Sequence, residues 1–222
     1  MGNINGKDKA AVWLFDLDNT LHNADAGIFQ LINRRMSAYL AQRLRLTWEE
    51  ADRLRLDYWR RYGATLAGLR LHHPEADVWD FLCQTHPMPQ ILPLLQAEAG
   101  AAQTLMRLGG RKAVFSNAPS FYVRALVGRM GLADCFAALF GTDDLGLSYK
   151  PSPDAYLNVC AKLQVRPADC IMVDDSPANL AAAKGLGMKT VYYGCRAPTP
   201  PEADAGVRDM AELARWAQKQ AV

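Results

Sequence analysis

Five short polar clusters punctuate this 222-residue chain, each just past an apolar run: Asp16 and Asp18, Ser116 and Asn117, Asp143 and Asp144, Lys150, then Asp174 and Asp175. Asp16 and Asp18 stand two residues apart, so in extended backbone both side chains leave the same face. Gathered with Asp174 and Asp175, such carboxylates repel one another and hold their protons more tightly unless a cation sits among them. A hard divalent ion with oxygen ligands, Mg²⁺ first, relieves that repulsion, and Lys150 adds positive charge. These groups suit phosphoryl transfer. A carboxylate can attack phosphorus and form an aspartyl-phosphate, dividing one hard step into two. Metal and lysine offset charge on the transferring oxygens, while a second acid protonates the leaving alcohol and later activates water. Phosphate-monoester hydrolysis needs accelerations of up to ~10²¹, more than any one residue supplies. A lone D-x-D is usually a loop or a helix cap; it is the joint pattern that points to chemistry.

Something must bring residues 16 to 175 together, and the intervening pattern says what. Ala11-Val12-Trp13-Leu14-Phe15 is an unbroken apolar run that suits a strand buried on both faces. From about Ala24 to His86 the period is helical, with Thr47-Trp48-Glu49-Glu50 as a capping-box start for a helix through Arg61. Gly63 and Gly68 interrupt this block, and Pro74-Glu75 opens a shorter helix. A helix from about Ala97 then leads into alternating units. Strands are expected at 112–115, 138–140, 170–173 and 190–193, helices at 120–130, 152–163 and 179–186, and a terminal helix at 210–218. That alternation predicts an α/β fold, a doubly wound parallel sheet with helices on both faces. The helical stretch 23–95 reads as an insertion, with 1–22 and 96–222 as the core. In a parallel sheet the polar clusters share one edge, at the carboxyl ends of the strands where open α/β folds bind ligands.

Composition narrows the function classes. Apolar residues make up 50% and charged residues 22%, as in ordinary soluble globular proteins. No window approaches the ~18 apolar residues of a bilayer span, and the polar start is no secretory signal, so no membrane partner and a cytoplasmic location are expected. A net charge of +2 argues against a nucleic-acid polymer as partner. Cys83, Cys135, Cys160, Cys170 and Cys195 form no C-x-x-C pair and read as reduced packing residues.

Phe15-Asp16-Leu17-Asp18-Asn19-Thr20-Leu21, Ser116-Asn117, Lys150-Pro151 and Val173-Asp174-Asp175-Ser176-Pro177-Ala178-Asn179, in this order, resemble the four motifs of the haloacid dehalogenase-like hydrolases. The resemblance implies a Rossmann-like core with the insertion as a helical cap. It implies Asp16 as nucleophile and Asp18 as general acid/base, with the backbone carbonyl of Asp18 also a metal ligand. Ser116 and the amide of Asn117 would hold phosphoryl oxygens, and Lys150 would orient Asp16 and bind the phosphate. Asp16, Asp18, Asp174 and Asp175 would form the Mg²⁺ site, Asp175 directly and Asp174 as a ligand or a partner behind it. Asn179 stands where many relatives carry an acid. Within the family, 16–29, 61–69 and 79–89 are similar to the pyrimidine 5′-nucleotidase branch, implying hydrolysis of nucleoside 5′-monophosphates such as UMP and CMP. His22, in place of a frequent tyrosine, and the stretch 90–100 depart from that pattern. The alternatives are a general phosphatase on sugar phosphates or phosphoglycolate, a metal-free dehalogenase that would have no need of Asp18, and a catalytically silent phosphate-binding module.

Several features have plainer readings. Ser152-Pro153 and Ser176-Pro177 are helix starts. His22 reads as a solvated loop histidine, and His72, His73 and His86 as surface or packing residues without metal-ligand spacing. Trp48, Trp59 and Trp79 read as packing. The eight arginines between Leu31 and Arg61, against four acids, read as a solvated helix face, and Thr65-Leu66-Ala67-Gly68-Leu69 as a break between helices.

Overall fold

The computed structural model describes residues 11–194 and 198–220. Six strands, Val12–Phe15 (β1), Lys112–Phe115 (β2), Ala138–Phe140 (β3), Cys170–Asp174 (β4), Lys189–Tyr193 (β5) and Ala205–Val207 (β6), form one sheet in the order β3-β2-β1-β4-β5-β6. Every pairing is parallel. The two strands that end in acids are central neighbours, with Phe15 opposite Val173. The amide of Asp16 continues the ladder, donating to the Val173 carbonyl at 2.9 Å. Asp16 and Asp174 therefore leave the sheet at one level.

Six helices lie between β1 and β2, and the first five of them form the helical block: Ile28–Leu44 (α1), Trp48–Tyr62 (α2), Thr65–His72 (α3), Val78–Thr85 (α4) and Met88–Ile91 (α5). The others, Ala101–Arg107 (α6), Ser120–Arg129 (α7), Pro153–Leu163 (α8), Pro177–Gly185 (α9) and Met210–Gln220 (α10), accompany the remaining strands. Trp13 and Phe15 feed one apolar cluster with Leu105, Tyr122 and Leu213. Val12 and Leu14 feed another with Tyr156, Val159 and Leu180. The period-two alternation of a strand, covered on both faces, is why β1 reads as unbroken apolar residues. A third cluster of Tyr39, Leu40, Tyr58, Leu69 and Phe81 holds the helical block together, and Tyr149 reaches into it from the core.

The capping box forms as expected: the Glu50 amide donates to Thr47 Oγ1 at 3.3 Å and the Thr47 amide to Glu50 Oε2 at 2.8 Å. Three boundaries differ. Gly68 lies inside α3 and does not break it, because a Cβ there would fall 2.2 Å from Tyr58 Cγ. Close approach of α2 and α3, not a turn, requires this glycine. The fourth helix starts at Val78, several residues after Pro74, because Asp77 accepts from the amides of Trp79 and Asp80 at 2.8 and 3.0 Å. The helix expected from about Ala97 starts at Ala101, after Gly100 in the left-handed conformation at φ 74°. Strand β6, three residues around a glycine, carries too little pattern to be anticipated. Cys83, Cys135, Cys160 and Cys170 are free thiols, whereas Cys195 lies outside the described residues. Among the described residues no helix is long and apolar enough to cross a membrane.

Candidate active site

The sheet edge brings the separated acids together. Lys150, 1% exposed, donates from Nζ to Asp16 Oδ1 at 2.7 Å and to Asp174 Oδ2 at 2.8 Å. Burial alone would pull the lysine pKa down, but the charges of Asp16 and Asp174 outweigh it and hold the ammonium above its ordinary value. Asp174 is fully buried, and its oxygens are also taken by the Ser176 amide at 2.9 Å and by Asn179 Nδ2 at 3.0 and 3.1 Å. Asn179 is thus a support of this carboxylate, a role its departure from the usual acid had left open. Asp16 Oδ2 takes no partner among the described residues.

One carboxylate oxygen each from Asp16, Asp174 and Asp175 lies within 4.8 Å of the others. Burial first, then the neighbouring acids, hold the Asp16 carboxyl well above the usual range despite the lowering effect of Lys150. Asp175 is pushed up to about 6, again by burial first and by Asp174 second. One ammonium thus leaves several negative charges incompletely balanced in a dry site. An all-oxygen donor set with that deficit fits a hard divalent cation. Asp174 already spends both oxygens on hydrogen bonds, so Asp16 and Asp175 carry the better-placed donors.

Asp18 sits beside this cluster, and its side chain is not among the three oxygens that converge. Its Oδ1 accepts from the Tyr122 hydroxyl at 2.5 Å and lies 3.0 Å from His22 Nε2. His22 is 1% exposed, which corrects its reading as a solvated loop histidine. The loop closes back on itself, with Asp18 and His22 in an isolated bridge, and this carries the ring inward. Burial first, then the charge of Asp18, holds the Tyr122 hydroxyl well above its ordinary pKa, so it stays a donor. Tyr122 was missed from sequence. The available signal was its place in the first turn of a helix that follows Ser116-Asn117. Across the seam with the helical block, the His86 ring stands edge-on to Tyr122 at 5.6 Å, and Trp79 edge-on to Phe121 at 5.6 Å. Burial holds His86 down to about 4, so the imidazole is neutral at pH 7.

The remaining clusters divide. Asn117 clamps the lysine loop, its Nδ2 donating to the Lys150 carbonyl at 2.8 Å while its Oδ1 accepts from the Lys150 amide at 2.8 Å. Ser116 is 1% exposed, and its Oγ accepts from the Ala118 amide at 3.0 Å. The Thr20 hydroxyl, in the same loop as both first aspartates, is buried without a partner among the described residues. Asp143 and Asp144 serve structure. Asp143 accepts from the Ser120 amide at 2.6 Å at the start of α7, and Asp144 pairs with Arg124 at 3.0 Å. Ser176 caps α9 through the Asn179 amide at 3.4 Å, whereas Ser152 makes no side-chain cap. His72 stacks on Tyr58 at 5.4 Å and His73 lies 3.1 Å from the Tyr58 hydroxyl.

Comparison with known proteins places the chain in a family. A validoxylamine A 7′-phosphate phosphatase of Streptomyces hygroscopicus subsp. limoneus is 27% identical over 92% of the chain and 96% of that protein. A bifunctional riboflavin kinase/FMN phosphatase of Arabidopsis thaliana is 25% identical over 80% of the chain, which spans only 47% of the plant protein. A HAD phosphatase structure from Thermococcus onnurineus superposes with a TM-score of 0.67 at 22% identity, over 93% of this chain and 97% of that one, and so shares the fold. The model of the haloacid dehalogenase-like hydrolases matches residues 11–187, the span that carries Asp16, Lys150 and Asp174 to one sheet edge, and the chain belongs to that family.

Proposed function

We propose that this protein hydrolyses phosphate monoesters of small metabolites, with Asp16 as the nucleophile. The observation that carries the reading is the Lys150 bridge: the ammonium holds Asp16 Oδ1 at 2.7 Å and leaves Oδ2 open to phosphorus. In the first step Asp16 Oδ2 bonds phosphorus, the phosphorus–ester oxygen bond breaks, and the departing oxygen takes a proton from Asp18 to leave as an alcohol. In the second, a water gives its proton to Asp18 and attacks phosphorus. The bond to Asp16 breaks, phosphate leaves and both aspartates are restored. Ser116 and the amide of Asn117 hold phosphoryl oxygens, with Lys150 as the positive partner. Mg²⁺ would be held by Asp16, Asp175 and the backbone carbonyl of Asp18, with Asp174 aligning Lys150 behind them; when bound it offsets charge on the phosphoryl oxygens. The placement of Asp18 disfavours a dehalogenase, whose chemistry needs no protonating acid there.

The helical block acts as a cap over the sheet edge. Its similarity to the pyrimidine 5′-nucleotidase branch makes nucleoside 5′-monophosphates such as UMP and CMP the first candidates. The named substrates of the Streptomyces and Arabidopsis relatives favour a second reading, other small phosphorylated metabolites. Phosphate release across nucleoside monophosphates, sugar phosphates and phosphoglycolate, with Mg²⁺ and with EDTA, separates the two. Asp16→Asn is expected to lower kcat at least about a thousandfold on every substrate, as loss of a covalent nucleophile does. Wild-type turnover in that variant ends the proposal.

A further inference from the structure

We infer that Tyr122, together with His22, is a positioning residue that fixes the Asp18 carboxylate in one orientation for proton delivery to the leaving alcohol. This rests on the phosphatase reading above. Two donors from different parts of the chain converge on the same oxygen: the Tyr122 hydroxyl at 2.5 Å from the first turn of α7, and His22 Nε2 at 3.0 Å from the end of the catalytic loop. With Oδ1 taken twice, Oδ2 is the oxygen left to carry a proton. A carboxylate receiving two bonds on one oxygen has lost the freedom to swing about its Cβ–Cγ bond. A bond from His22 to the carboxylate needs its hydrogen on Nε2, and its Nδ1 is buried with no partner among the described residues. Tyr122 itself is fully buried, and its ring is packed by His86 from the helical block. The Tyr122 ring thus touches side chains of both the core and the block, while its hydroxyl bonds Asp18.

Such a role leaves a signature that a purely structural tyrosine does not. Protonation of the leaving group matters greatly for an alkyl ester and little for p-nitrophenyl phosphate, whose phenolate departs unaided. Tyr122→Phe keeps the ring and removes only the hydroxyl. It is expected to slow first-turnover release of the leaving group about ten- to a hundredfold from an alkyl phosphate and less than about threefold from p-nitrophenyl phosphate, a readout that precedes the water step in which Asp18 also acts. In an Asp18→Asn background the same substitution is expected to add no further loss, because its target is gone. His22→Gln, read the same way and checked by circular dichroism melting, guards against a folding defect in either variant. Equal losses on the two substrates, or an additive loss in the Asp18→Asn background, would overturn the inference while leaving the phosphatase reading in place. Absence of phosphate release by the wild-type protein on both substrates would overturn both.

Discussion

Lys150 is buried with two carboxylates 2.7 and 2.8 Å away, and that proximity explains why so polar a cluster can lie under a closed surface. A buried charge is tolerated when it is paired and hydrogen-bonded, and removing one partner leaves an expensive orphan. The pairing is nevertheless incomplete, because Asp16, Asp174 and Asp175 meet one ammonium. Asp175, ordinarily near 3.8, is raised to about 6 in the folded chain. Between those values the folded state binds more protons than the unfolded one, so stability falls as pH rises. Asp16 moves in the same direction. Metal-free protein is therefore expected to melt lower at pH 7 than at pH 4.5, relative to Asp175→Asn. Mg²⁺ at a hundredfold excess over its Kd should return about 2.7 kcal/mol at pH 7 and much less at pH 4.5. Melts in EDTA and in Mg²⁺ across that range check it, and a Mg²⁺ effect of equal size at both pH values would exclude these carboxylates as the binding site.

At the scale of elements, the contact between α2 and α3 shows how local propensity yields to packing. Gly68→Ala should gain about 1 kcal/mol of helix propensity in isolation. Here the added methyl would meet Tyr58 Cγ at 2.2 Å and Cβ at 2.6 Å, near the root of a side chain that cannot swing away. The Tyr58 ring is also backed by His72. Overpacking of this kind costs about 1–3 kcal/mol, so a net loss of stability is expected, concentrated in the helical block. Thermal denaturation decides the sign, and an unchanged or raised Tm would show that the helices can separate without penalty.

Across the whole molecule, the sheet is covered on both faces by apolar clusters, whereas the helical block has a smaller cluster and reaches the sheet cluster through Ile28, Ile32 and Ile91. Of the fifteen residues of α2, only Ala51 and Tyr58 are buried. Few buried contacts mean a low local opening free energy. Native-state hydrogen exchange is expected to show amides of α2 and α3 exchanging at least about tenfold faster than those of β1 and β4. Similar protection throughout would mean that block and core open as one unit. A block that opens on its own suits a cap whose release can set turnover, and it would carry the His86 wall away from Tyr122 as it leaves.

Much of this protein was already written in its sequence, and the reasons are local. Unbroken runs such as Val12 to Phe15 report strands covered on both faces, and the Thr47–Glu50 spacing reports a helix start. The motif residues 16, 116, 117, 174 and 175 lie at or just past the ends of β1, β2 and β4, so a parallel sheet gathers them, whereas Lys150, ten residues beyond β3, is placed by its loop. What depends on distant atoms was decided only by the fold. The grip of Tyr122 and His22 on Asp18, the use of Asn179 and Lys150 to saturate Asp174, the Asn117 clamp on the lysine loop and the need for Gly68 against Tyr58 all follow from contacts between separate elements. A side chain's type and spacing report the backbone that carries it. Which oxygen it bonds is set by whatever the folded chain brings within about 3 Å, the reach of a hydrogen bond.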